Sequence, residues 1–265
     1  MAAPGTGPGR YQREANRVPV TEIDVRTADG VMDVYLHTPD DGGGTTPPVV
    51  IFYPDAGGVR PVMHDMAAQL TTRGYAVAVV NYFYRSGKIS FDVGKVWSDP
   101  DLRAELMAVM GKAAPALVVQ DTAALLDVLA ARSDVRADKV ATVGYCRGGL
   151  LSFTVAGAIP DRVAAAASIH GGGIATEEPT SPHLRADDIS AALYFGVAAN
   201  DQSCTPEQQE LLTTALDKAG TRYELEHYTA AHGFAVADNP SHDAAAEQRH
   251  WEKVTALFAR ELPTD

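Results

Sequence analysis

Cysteine is scarce in this chain: Cys146 and Cys204 are the only two among 265 residues. Two thiols cannot build the bridge framework that staples small secreted domains, and a reducing cytoplasm is the expected compartment. Long apolar runs are missing too. No stretch reaches the roughly 18 consecutive apolar residues that suggest a membrane-spanning helix. The opening MAAPGTGPGR lacks the apolar segment of a secretory signal, and residues 1–18 read as a flexible Gly- and Pro-rich tail. Positive charge is in deficit. There are 22 Lys and Arg against 34 Asp and Glu, a net charge of −12, which repels nucleic acid and anionic lipid. Neither a nucleic acid nor a membrane is therefore an expected partner. What the chain has is apolar residues, 46% of the total, enough for a sizeable core.

Residues 19–265 read as one α/β domain. Val20–Thr27 and Val31–His37 are β-rich and flank an Ala-Asp-Gly turn, the signature of a hairpin. Asp41–Pro48 is a Gly/Thr/Pro loop. Strands then alternate with helix patterns. Val49–Tyr53, Tyr75–Tyr82, Val140–Tyr145, Val163–Ile169, Leu193–Ala198 and Tyr223–Tyr228 are the expected strands. Met63, Met66, Ala67 and Leu70 fall on one helical face, as do Val118, Thr122, Leu125 and Leu129. Leu150–Gly157 is a small-residue helix. Thr205-Pro206-Glu207-Gln208 opens another with an N-cap and a capping-box residue, and Gly220 closes it. Trp251, Val254, Phe258 and Leu262 stripe the last. Such alternation predicts a mostly parallel central sheet with helices on both faces and a site at the carboxyl ends of the strands. Arg85–Pro115 is the one long irregular stretch, a candidate lid or wall.

The β-rich run ending at Val143 leads directly into Gly144-Tyr145-Cys146-Arg147-Gly148-Gly149, and a helix pattern follows. This is a glycine-flanked nucleophile turn with cysteine where serine is usual. The turn lifts the sulfur above the sheet edge, and the Arg147 N–H lies at a helix N-terminus, free to meet an oxyanion. A dinucleotide loop is excluded because Cys146 stands where its second glycine belongs. In this architecture an acid and then a histidine follow the nucleophile at later strand ends. Asp201 follows Leu193–Ala198, and His232 follows Tyr223–Tyr228. Asp187, Asp188 and Asp238 are weaker acids because no strand immediately precedes them. His170 and His227 are weaker bases, the first preceding the acid and the second lying inside a strand. His232 would keep Cys146 available as thiolate and later activate water, with Asp201 fixing the imidazole tautomer.

Gly-Tyr-Cys-x-Gly-Gly at 144–149, Asn-Asp at 200–201, His-Gly-Phe at 232–234, Tyr-Pro-Asp-Ala-Gly-Gly-Val-Arg at 53–60 and Tyr-Phe-Tyr-Arg at 82–85 together resemble the dienelactone hydrolase family. The resemblance runs from Val20 to Leu262. It implies the α/β-hydrolase fold and hydrolysis of a small ester or lactone through a Cys-His-Asp triad, without metal or cofactor. It implies further that Asp55 contacts the resting thiol, although the best-known members have Glu there, and that Ala56 donates the second oxyanion N–H. Arg85 matches one of two carboxylate-binding arginines, while the other position holds Val236, so an anionic substrate group is expected to be weakly held. Tyr145 and Phe234 belong to the matching segments and are candidate substrate contacts. Ser-Ile-His-Gly-Gly-Gly at 168–173, with Ser181-Pro182-His183, resembles a subgroup whose histidines line the site, which adds His170. Cys204 reads as structural. An acyl or thioester transferase and a non-catalytic relative stay open, as do a monomer and a small homo-oligomer.

Overall fold

Eight strands form one sheet in the order β1-β2-β4-β3-β5-β6-β7-β8 among the described residues. The computed structural model describes residues 18–40, 44 and 46–264. The expected N-terminal tail therefore lies almost wholly outside the described residues, and the Asp41–Pro48 loop partly so. β1 (Val20–Thr27) and β2 (Gly30–His37) make the hairpin and pair antiparallel, as do β2 and β4 (Ala76–Val80). β3 (Pro48–Tyr53), β5 (Arg136–Tyr145), β6 (Val163–Ile169), β7 (Ala192–Ala198) and β8 (Tyr223–Tyr228) run parallel, with β4 beside β3.

The two-residue period of a strand splits its side chains between two cores. Val49, Ile51 and Tyr53 of β3 join one, and Val50 and Phe52 the other. On the first face pack α2 (Pro100–Gly111), α3 (Pro115–Ala130), α4 (Arg147–Ala158) and α5 (Pro206–Ala219), through Leu106, Leu125, Leu151 and Leu216. On the second pack α1 (Pro61–Thr71) and α6 (Ala244–Glu261), through Met63, Leu70, Val254 and Phe258. Each such side chain, fully buried, contributes about 1.5–3 kcal/mol. The predicted stripes at Met63/Leu70, Val118/Leu129 and Trp251/Phe258 are the faces that pack.

One expectation needs correction. Arg85–Pro115 is not irregular throughout: a 3₁₀ turn covers Tyr84–Ser86 and α2 occupies Pro100–Gly111. α2 buries only Leu106 and Val109, so it carries little periodicity. Its start was legible, since Asp99 caps it by accepting from Asp101 and Leu102, with Pro100 following at the first turn. The 3₁₀ segment Pro182–Asp188 was not anticipated either. Strand order reverses around β3 and β5, the neighbours from which the chain winds outward in both directions. That is where a ligand crevice opens beyond the strand ends.

Candidate active site

Cys146 sits between β5 and α4 with φ 54° and ψ −115°, a strained backbone for a residue with a side chain. The surroundings enforce it. A Cβ on Gly144 would overlap the carbonyl of Gly148, and one on Gly148 would overlap the carbonyl of Tyr53. The two glycines thus let α4 approach β3 and β5 at the sheet edge. The Cys146 N–H donates to the Ile169 carbonyl at 3.0 Å and lies 3.1 Å from Nδ1 of His170. Arg147 is the first residue of α4, so its N–H has no carbonyl within the helix to reach.

Asp201 and His232 are 31 residues apart in sequence and meet in space. Nδ1 of His232 lies 2.7 Å from Oδ2 of Asp201. The other carboxylate oxygen accepts from the Ser203 N–H at 2.8 Å. Asn200, at φ 54°, turns the chain so that the neighbouring carboxylate faces inward. Burial opposes ionisation of Asp201, but His232 and the Ser203 N–H outweigh it and hold the pKa below the ordinary carboxylate value. Burial likewise opposes an imidazolium at His232. The hydrogen bond to Asp201, the interaction with the Cys146 sulfur and the charges of both push its pKa up to about 10. Burial, and the nearby Asp201, push the Cys204 thiol up to about 12. That thiol is therefore protonated at neutral pH and a poor nucleophile.

Ala56 follows β3 and lines the same cavity as Cys146 and His232. Asp55 lines it too, but its carboxylate does not turn to the thiol. Oδ1 accepts from the Gly57 N–H at 2.8 Å and from Arg60 at 2.6 Å, and Oδ2 from Arg60 at 2.9 Å. Arg60 also donates to Asp238 at 2.7 and 2.8 Å. A guanidinium offers both acids a planar fork, which an isolated thiol cannot match.

The remaining site expectations divide. His170 is buried in the cavity wall at φ 39°, its ring 5.1 Å from that of His232. Burial, then the nearby His232 and His250, lower its pKa well below the usual histidine value, so the ring is neutral. Arg85 is a correction. Its guanidinium pairs with Asp121 at 2.8 and 3.0 Å and with Asp29 at 2.8 Å, and it is absent from the cavity wall. Tyr145 and Phe234 also sit elsewhere than expected, in the core beneath the site. The Tyr145 hydroxyl meets Nε2 of His250 at 3.2 Å, while Phe234 stacks on Tyr228 and sets its ring against His170. His183 bonds Ser181 at 2.8 Å, also away from the cavity. The Arg85–Pro115 stretch, a candidate wall in the sequence, supplies Val93 and Trp97 to the cavity lining, although neither residue was singled out there, nor was Arg60 behind the wall. Trp97 carried one signal, a large aromatic in a stretch with no periodicity to bury it.

The cavity measures about 740 Å³, a size suited to a small molecule. Among the described residues, no group of three or more His, Cys, Asp or Glu side chains is arranged to hold a metal ion. No single described helix is long and apolar enough to cross a membrane.

A mostly parallel sheet between helical layers, with a strained cysteine turn after β5 and an Asp–His pair beyond β7 and β8, defines an α/β-hydrolase. Residues 32–262 match the model of the dienelactone hydrolase family, and the chain belongs to that family. It is a hydrolase of carboxylic esters or lactones. A carboxymethylenebutenolidase of Rhodococcus opacus is 27% identical over 234 residues, 86% of each chain. Another, from Pseudomonas sp. strain P51, is 27% identical over 81% of this chain and 85% of its own. A dienelactone hydrolase-like promiscuous phosphotriesterase from metagenomic libraries superposes with a TM-score of 0.76 at 21% identity, over 92% of this chain and 98% of its own, a likeness of fold alone.

Proposed function

We propose that Cys146, His232 and Asp201 act as a triad that hydrolyses small esters or lactones through a thioester. The observation that carries the reading is the 2.7 Å Asp201–His232 pair, with His232 and Cys146 lining the same cavity. The Cys146 thiolate attacks the carbonyl carbon. The resulting oxyanion accepts from the N–H groups of Ala56, three residues after β3, and Arg147, at the start of α4. The oxyanion collapses, the C–O bond breaks, and His232 gives its proton to the leaving oxygen. In a lactone that oxygen stays tethered to the acyl group. Neutral His232 then takes a proton from water, whose oxygen attacks the thioester. Collapse expels the thiolate and leaves the acid, with the proton on His232. Asp201 holds the ring in the tautomer that both steps need.

Replacement of Cys146 tests this. Cys146→Ala is expected to abolish hydrolysis of 4-nitrophenyl acetate with the fold intact by circular dichroism, and Cys146→Ser to be far weaker than wild type. Mass spectrometry of rapidly quenched wild type should find one acyl group on the Cys146 peptide. Wild-type turnover by folded Cys146→Ala defeats the assignment.

A further inference from the structure

Two of the arginines around the cavity are already committed. Arg60 is shared by Asp55 and Asp238, and Arg85 is held by Asp121 and Asp29. The Arg147 guanidinium donates to the Ala113 carbonyl at 3.1 Å and, among the described residues, has no carboxylate partner and an unpartnered buried Nε, but it is not part of the cavity lining. His232 is paired with Asp201. Among the described residues lining the cavity there is no lysine or arginine, whereas Asp55 and Asp201 both line it. Val236 is wholly buried.

Apolar surface is available where charge is not. Val93 and Trp97 form one wall. The segment that carries them is pinned from behind: the Phe91 N–H donates to the Gly57 carbonyl at 2.9 Å, and Phe91 and Val96 are buried in the core. Trp97 nevertheless remains 55% exposed. An indole anchored through its neighbours and uncovered in front presents a rigid apolar platform.

We propose that this enzyme selects uncharged esters or lactones whose apolar part lies against Trp97 and Val93, and rejects substrates bearing a carboxylate. The proposal rests on the Cys146 mechanism above and adds the class of substrate. A carboxylate entering the cavity gives up hydration and meets no lysine or arginine among the described residues of the lining in return. It also meets the net negative charge of the Asp55–Arg60–Asp238 cluster, in which one guanidinium serves two carboxylates. An apolar group gains at the same wall by leaving water. Selection thus combines an attractive surface with a repulsive one.

The test compares 4-nitrophenyl hexanoate with the 4-nitrophenyl monoester of adipic acid, which differ in a terminal methyl against a carboxylate. The hexanoate should show kcat/KM at least tenfold higher. In Trp97→Ala, kcat/KM for the hexanoate should fall at least threefold more than for 4-nitrophenyl acetate, whose acyl chain is too short to use the platform. Equal or better turnover of the adipate monoester, or an unchanged hexanoate-to-acetate ratio in Trp97→Ala, overturns the proposal. Wild-type hydrolysis of the hexanoate by Cys146→Ala overturns the nucleophile assignment instead, so the two failures are distinct.

Discussion

Replacing Arg85 separates a structural arginine from a substrate-binding one. Arg85 is 11% exposed and holds two acids of very different burial, Asp121 at 2% and Asp29 at 44%. The Asp29 arm reaches solvent and contributes about 0–1 kcal/mol. The Asp121 arm is a buried bidentate pair, and removing one partner of such a pair costs about 3–5 kcal/mol because the other charge is left stranded. Tyr84 continues to donate to Asp121 at 2.9 Å, so the low end applies. Arg85→Ala is therefore expected to lose about 3 kcal/mol of unfolding free energy in urea, with a fall in Tm on the order of 6–12 °C. A protein of ordinary stability survives this loss. Arg85→Met with Asp121→Asn should recover most of it, because no buried charge then remains unpaired. The kcat/KM ratio of neutral to carboxylated esters should stay within twofold of wild type. Unchanged stability in Arg85→Ala, together with a KM raised only for carboxylated esters, would refute the reasoning and return Arg85 to the site.

Four further outcomes follow from the structure. His232 has a folded-state pKa of about 10, above its ordinary 6.5, so the stability it contributes is complete below about pH 6.5 and is lost as pH rises through 10. kcat/KM should hold to about pH 9 and then fall with an apparent pKa near 10, and Asp201→Asn should shift that alkaline limb downward; a limb unmoved in Asp201→Asn would contradict the pairing. Gly148→Ala should lose both activity and stability, because its Cβ overlaps the Tyr53 and Pro54 carbonyls. Gly87→Ala, with open space around its Cβ but φ 96° and ψ −165°, should cost only backbone strain of about 1–3 kcal/mol and keep its kcat, as thermal melts and assays would show. Iodoacetamide at pH 7.5 should label Cys146 alone, since the Cys204 thiol is pushed up to about 12; mass spectrometry finding equal label on Cys204 would contradict that environment.

The elements that could be read in sequence are those whose cause is local. The hairpin, the capping box at Thr205 and the apolar stripes follow from side-chain period and turn chemistry, and they reappear with small shifts at their ends. The cysteine turn was legible for the same reason: glycines at 144 and 148 surround one nucleophile where a strand becomes a helix. Asp201 and His232 could be ordered along the chain by their place after strands, but their 2.7 Å separation arises only because β7 and β8 are adjacent. The partners of buried charges were not legible. Arg85 and Asp121 are 36 residues apart, and Arg60 and Asp238 178 apart. A carboxylate attracts any guanidinium, so sequence determines the charges present and tertiary packing alone decides which are paired. That decision moved Arg85 out of the site, turned Asp55 from the thiol to Arg60, and placed Trp97, which no periodicity marked, at the cavity wall.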